Sequence, residues 1–124
     1  MIVVVDDWHT ALNAGDVERL VGLSTADVEV GGPRGSGRGA DLLRDWVARA
    51  GITLEPRRRY GRDGTFVVEQ TAQWRSADGQ LTPPQTVASV FRIRDGLVAA
   101  VLRYDDVAAA LQAAGLDDAD AANS

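Results

Sequence analysis

The 124-residue chain has 18 acidic and 13 basic residues, a net charge of −5 and 45% apolar residues, the size and make-up of one domain with a real core. It has no cysteine and every basic residue is arginine, which excludes disulfides, thiolate zinc sites, cysteine nucleophiles, Schiff-base lysines and a lysine-based phosphate loop. The acidic balance repels a phosphate backbone and argues against nucleic-acid binding.

In chain order, Ile2-Val3-Val4-Val5 is short, lacks a basic start and runs into Asp6-Asp7, so it is no signal peptide. No stretch is long and apolar enough to span a bilayer, and the expectation is a cytoplasmic protein without a membrane partner. Trp8, Ala11, Leu12 and Gly15 recur at helical spacing and predict a helix over 6–14. Asp16 is placed to cap a second helix, 17–23. Val28-Glu29-Val30 reads as a short strand, and the glycine-rich run 31–39 reads as loop. Asp41 opens or caps a third helix whose Leu42, Leu43, Trp46 and Val47 share one face and which Gly51 stops.

The period then changes to strands. A strand from Ile52 continues towards Tyr60, and Gly61-Arg62-Asp63-Gly64 turns into a long strand, 65–75. Arg57-Arg58-Arg59 with Arg62 reads as a solvated strand and turn. Residues 85–94 form the next strand, Asp95-Gly96 signals a hairpin, and 97–104 pairs back. A short helix, 107–114, ends at Gly115. Helices and strands are segregated, which predicts an α+β fold with one domain over 1–116 and a loose acidic tail over 117–124.

Four stretches in this order carry a family resemblance: Trp8-His9-Thr10-Ala11-Leu12-Asn13-Ala14-Gly15-Asp16, Ser24-Thr25-Ala26-Asp27-Val28-Glu29-Val30, Gly37-Arg38-Gly39, and Phe91-Arg92-Ile93-Arg94-Asp95-Gly96-Leu97-Val98 closing with Tyr104-Asp105. Residues 5–114 resemble the nuclear transport factor 2-like superfamily in its SnoaL-like branch. The resemblance implies a cone-shaped, curved antiparallel sheet closed by three N-terminal helices, with a short C-terminal helix and an apolar pocket between sheet and helices. It also implies dimerisation through the outer sheet face. It implies no single activity, because members include isomerases, polyketide cyclases, epoxide hydrolases, dehydratases and non-catalytic modules.

Strand alternation groups Phe66, Val68, Gln70, Ala72 and Trp74; Val87, Ser89, Phe91 and Ile93; and Ala99, Val101, Arg103 and Asp105. By the resemblance, these faces line the pocket together with Trp8, Val30 and Arg34 of the glycine loop. Arg103 and Asp105 point the same way, and a carboxylate beside a guanidinium stays ionised. Such a pair orients a water or a polar substrate group; alternatively it is a strand-end ion pair with Asp105 capping the last helix, the reading given precedence. A ketosteroid isomerase mechanism is disfavoured, since its base would fall near Val30 and its oxyanion donors near Trp8 and Ser89. His9, the sole histidine, is an acid–base candidate at the pocket rim, with solvent exposure the preferred alternative. One histidine without clustered carboxylates leaves no metal site, and no cofactor is expected.

A receiver-type reading of Ile2-Val3-Val4-Val5-Asp6-Asp7 fails for want of alternating βα units and a lysine. Two functional classes remain. The sparse ionisable lining favours non-catalytic binding of a small apolar, partly oxygenated molecule. The alternative is a cofactor-independent acid–base enzyme of cyclase, isomerase, dehydratase or epoxide hydrolase type using Asp105, with Arg103 and His9. Thr86, Ala88 and Val90, beside Ala100 and Leu102, form an outward strip of low polarity that predicts a homodimer.

Overall fold

The structure, a computed structural model, describes residues 2–32, 35–74 and 78–121. Helix α1 (Ile2–Ala14) begins four residues earlier than the apolar spacing suggested. The β-branched run at its start is a poor helix former, but burial of Val5 on the stripe that carries Trp8, Ala11 and Leu12 overrides that preference. Gly15, at φ 72°, ends the helix, and its N–H and that of Asp16 bond back to the Leu12 and Ala11 carbonyls. Asp16 caps α2 (Val17–Gly22) by accepting from the Arg19 N–H.

The glycine run is not a loop. Strand β1 (Ser24–Gly32) extends into it, and β2 (Gly35–Arg38) pairs back antiparallel, with Gly31 opposite Ser36 and Gly32 opposite Gly35. Glycine suits this hairpin because a Cβ on Gly31 would sit 2.6 Å from the Gly35 carbonyl oxygen. Helix α3 (Ala40–Ala50) starts from Gly39 without a side-chain cap and ends at left-handed Gly51. Strands β3 (Thr53–Arg62), β4 (Thr65–Gln73), β5 (Gln85–Arg94) and β6 (Leu97–Tyr104) then form a meander. The Asp63-Gly64 and Asp95-Gly96 turns have positive φ at both residues, the geometry that two-residue hairpins require. Helix α4 (Val107–Ala114) follows, capped by Asp106 accepting from the Ala109 N–H at 2.7 Å.

The six strands form one open sheet in the order β2-β1-β6-β5-β4-β3. Register shifts in the β1–β6, β3–β4 and β5–β6 ladders bend it. Strand β1 joins β6 in parallel, with Val30 opposite Val101 and Gly31 opposite Leu102. This non-local pairing brings the end of the glycine hairpin beside the end of the last strand.

Apolar residues cover both faces of the sheet. On the inner face, Val28, Val68, Val87, Phe91 and Val101 pack with Val5, Trp8 and Leu12 of α1, Leu20 of α2 and Leu43 of α3. The Asn13 side-chain amide adds a two-point clasp to the Leu54 backbone, at 2.9 and 2.8 Å. On the outer face, Tyr60, Val67, Ala88 and Val90 pack with Ala110 and Leu111 of α4 and with Leu116. Ala88 and Val90, which led the expectation of a dimer, therefore already have a partner within the chain. The segment expected to be loose is also engaged as far as residue 121. Asp118–Asp120 forms a 3-10 turn with a capping box, Ala121 bridges to Tyr60, and Asp120 lies 3.8 Å from Arg62. Among the described residues, no helix is long and apolar enough to cross a membrane.

Candidate functional site

Strand alternation sorted the inner face along β4 and β5, but on β6 a register shift puts Val98 rather than Ala99 in the inner core, and most of that face is filled. Trp8 is fully buried, edge-on to Phe91 with ring centroids 5.3 Å apart, and its indole N–H donates to Ser24 Oγ at 3.2 Å. Ser24 Oγ–H in turn donates to the Leu20 carbonyl. The N–H weighed as an oxyanion donor is thus already occupied.

His9 is neither at a pocket rim nor in solvent; it is 1% exposed in the core. Its Nδ1 lies 2.8 Å from the Val5 carbonyl, which only accepts, so the ring proton sits on Nδ1. Nε2 is left as an acceptor and receives a bond from the Gln70 side-chain amide at 2.8 Å, while Gln70 Oε1 accepts from Ser89 Oγ at 2.8 Å. Every member of this relay is buried and used. Burial lowers the His9 pKa to about 4, against the opposing pull of the Val5 carbonyl and Asp6. It is a neutral structural imidazole, and its depth in the core follows from its place beside Trp8 on a helix whose wide apolar face is entirely covered.

The open space lies elsewhere. A cleft of about 860 Å³ is lined by Val30, Gly31 and Gly32 of β1, Gly35, Ser36 and Gly37 of β2, Leu42 and Trp46 of α3, and Arg103 and Asp105 at the end of β6. That volume suits a small ligand. Parallel pairing of β1 with β6 creates it, because both strands end at the same side of the sheet, where α3 crosses.

Of the residues singled out from sequence, Val30, Arg103 and Asp105 line this cleft. Val68, Gln70, Val87, Ser89 and Val101 are buried in the packed interior with Trp8 and His9, and Phe66 packs against the same core. Arg34 lies outside the described residues. Leu42 and Trp46 were legible only as the apolar face of a helix, and the glycines only as a loop.

The two charged lining residues do not pair with each other. Asp105 is exposed and caps nothing, since Asp106 supplies the α4 cap. Its neighbour two residues back, Arg103, holds its guanidinium over the Trp74 ring, 5.4 Å from the centroid. Among the described residues, Arg103 makes no ion pair. Ser36 is engaged with Glu29 at 2.7 Å, and Glu29 also faces Arg38 at 3.7 Å. Among the described residues, no group of three or more histidine, aspartate or glutamate side chains is placed to hold a metal.

A family model described as the SnoaL-like domain matches residues 5–101. No curated protein matches the chain. Solved structures share the fold. An LEH-like epoxide hydrolase of M. tuberculosis is 21% identical with a TM-score of 0.72, over 91% of this chain and 87% of that one. The epoxide hydrolase/cyclase-like enzyme SalBIII, of pyran ring formation in salinomycin, is 17% identical with a TM-score of 0.73, over 85% and 89%. An NTF2-like protein of unknown function from Burkholderia pseudomallei is 17% identical with a TM-score of 0.72, over 91% and 95%.

Proposed function

Since the chain belongs to the SnoaL-like domain family, we propose that its cleft binds a small, largely apolar, partly oxygenated molecule and does no chemistry on it. The wall composition carries this reading. Val30, Leu42 and Trp46 offer apolar and aromatic surface, and Arg103 and Asp105 offer one donor group and one acceptor group. Acid–base catalysis needs a proton acceptor and a proton donor within reach of the reacting bond. Arginine does not release a proton at neutral pH, so Asp105 is the one lining side chain able to exchange one. His9, the natural second group, is sealed in the core with both ring nitrogens bonded.

One observation favours a second reading, an epoxide hydrolase or cyclase activity like that named for two of the similar structures. Asp105 is free of a capping bond and faces the cleft. In epoxide hydration, Asp105 would take a proton from the attacking water as its oxygen bonds to a ring carbon. The ring C–O bond would break, and the released oxygen would be protonated from solvent.

Calorimetric titration with 1-tetralone, a neutral ring ketone, separates these readings when combined with product analysis on styrene oxide. The proposal expects saturable tetralone binding, weakened about ten-fold by Trp46→Ala, and no diol. Diol formation that disappears in Asp105→Asn would establish the enzyme reading instead. Absence of saturable binding in the wild type would refute the cleft as a ligand site.

A further inference from the structure

Resting on the reading of the cleft as a ligand site, we infer that it selects a flat, ring-bearing monocarboxylate, with Arg103 as the anion-recognising residue and Trp74 as the residue that positions it. Arginines 38, 44, 57, 59, 62 and 94 each face a carboxylate, Glu29, Glu18, Glu55, Asp6, Asp120 and Asp27 respectively. Arg19, Arg58, Arg92 and Arg103 face none among the described residues, and of these Arg103 is the one that lines the cleft. The guanidinium carbon lies over the Trp74 ring, 5.4 Å from its centroid, a cation–π contact, and the planar N–H fork of arginine receives a carboxylate through two parallel bonds. The contact favours one placement of a flexible side chain in advance, so less freedom is lost when an anion binds.

The rest of the wall sets the shape of the ligand. Gly31, Gly32, Gly35 and Gly37 bring bare backbone to the lining, Gly32 directly beside Arg103, and Leu42 and Trp46 of α3 add apolar and aromatic surface. A Cβ on Gly37 would lie 2.6 Å from Leu42 Cδ2, so the hairpin and α3 already touch at that point. The flat surfaces left for a ring are the Trp46 indole and the bare backbone of Gly31, Gly32 and Gly35. Asp105 sets the limit on charge. Glu29 is offset by Arg38 and bonded to Ser36, whereas Asp105 has no ion pair among the described residues, so a second negative charge on the ligand meets repulsion at the rim.

The test is calorimetric titration with 2-naphthoate and 2-naphthamide, which share a ring and a size and differ in charge. Wild-type protein is expected to prefer the acid by about ten-fold or more. Arg103→Gln should bring the ratio close to one, and Arg103→Lys should keep part of it. Trp74→Leu should lower the ratio and Trp74→Phe restore it, a pattern that a general loss of stability does not produce because both probes report on the same folded protein. Asp105→Asn should tighten naphthoate binding and leave naphthamide unchanged. Equal affinity for the two probes in the wild type, or a ratio that survives Arg103→Gln, overturns this inference while the cleft reading stands. Failure of both probes to bind removes the cleft reading and this inference with it.

Discussion

His9 sits where a surface histidine was expected, one residue along the helix from Trp8, and the core alters its chemistry. In the unfolded chain it protonates near its ordinary value of 6.5; in the fold, burial lowers this to about 4. Between those values the unfolded state binds more protons, so the contribution of His9 is complete above 6.5 and falls as the pH drops towards 4. Lowering the pH from about 7.5 to about 5 should therefore remove about 2 kcal/mol through this residue. Urea denaturation at the two pH values measures it. His9→Phe, which cannot titrate, should flatten that part of the profile, and parallel profiles for the two proteins would sink the assignment. The variant should also be less stable at neutral pH by about 1–3 kcal/mol, because the Gln70 amide loses its acceptor in a buried place.

Two elements bear on the cleft and can be tested separately from any ligand. Asp105 and Asp106 both precede α4, and the sequence reading gave precedence to Asp105 as its cap. The structure gives the cap to Asp106, so Asp106→Ala should cost about 1 kcal/mol in thermal or urea unfolding, while Asp105→Ala should change stability by less than about 0.5 kcal/mol. The reverse order of effects would mean that Asp105 is the cap and is withdrawn from the cleft. The β1–β2 hairpin depends on a close approach of its two backbones. Gly31→Ala would press its Cβ onto Ser36 Cα and the Gly35 carbonyl, both at 2.6 Å, and should destabilise the protein by about 1–3 kcal/mol. Gly37→Ala meets only the end of the Leu42 side chain, which can turn aside, and should be the milder change in the same unfolding assay.

Across the whole molecule, one sheet serves two cores, and α4 is the cover of the second. Tyr60, Val67, Ala88 and Val90 are only 3%, 0%, 0% and 1% exposed, and α4 with Leu116 packs against them. A chain ending at Asp106 should expose a contiguous apolar patch and associate with itself or precipitate, as light scattering against the full chain would reveal. A truncated chain that stays monomeric and soluble would show that the outer face does not need this helix.

Most elements were legible because their signals are local. The apolar stripe of α3, the Asp16 cap, the two Asp-Gly turns and the alternation along β4, β5 and the end of β6 each depend on neighbours a few residues away. Those same signals placed Arg103 and Asp105 together at a strand end. What escaped the sequence was decided at long range. The glycine run pairs as a hairpin because β1 lies beside β6, a partner some seventy residues on, and backbone pairing of glycine leaves no side-chain pattern to read. The site followed the same logic. Alternation tells which residues share a face, but whether that face borders a void depends on how much volume the opposing helix delivers, and Trp8 and His9 of α1 fill it. Only the assembled packing moved the open space to the far end of the sheet, beneath α3.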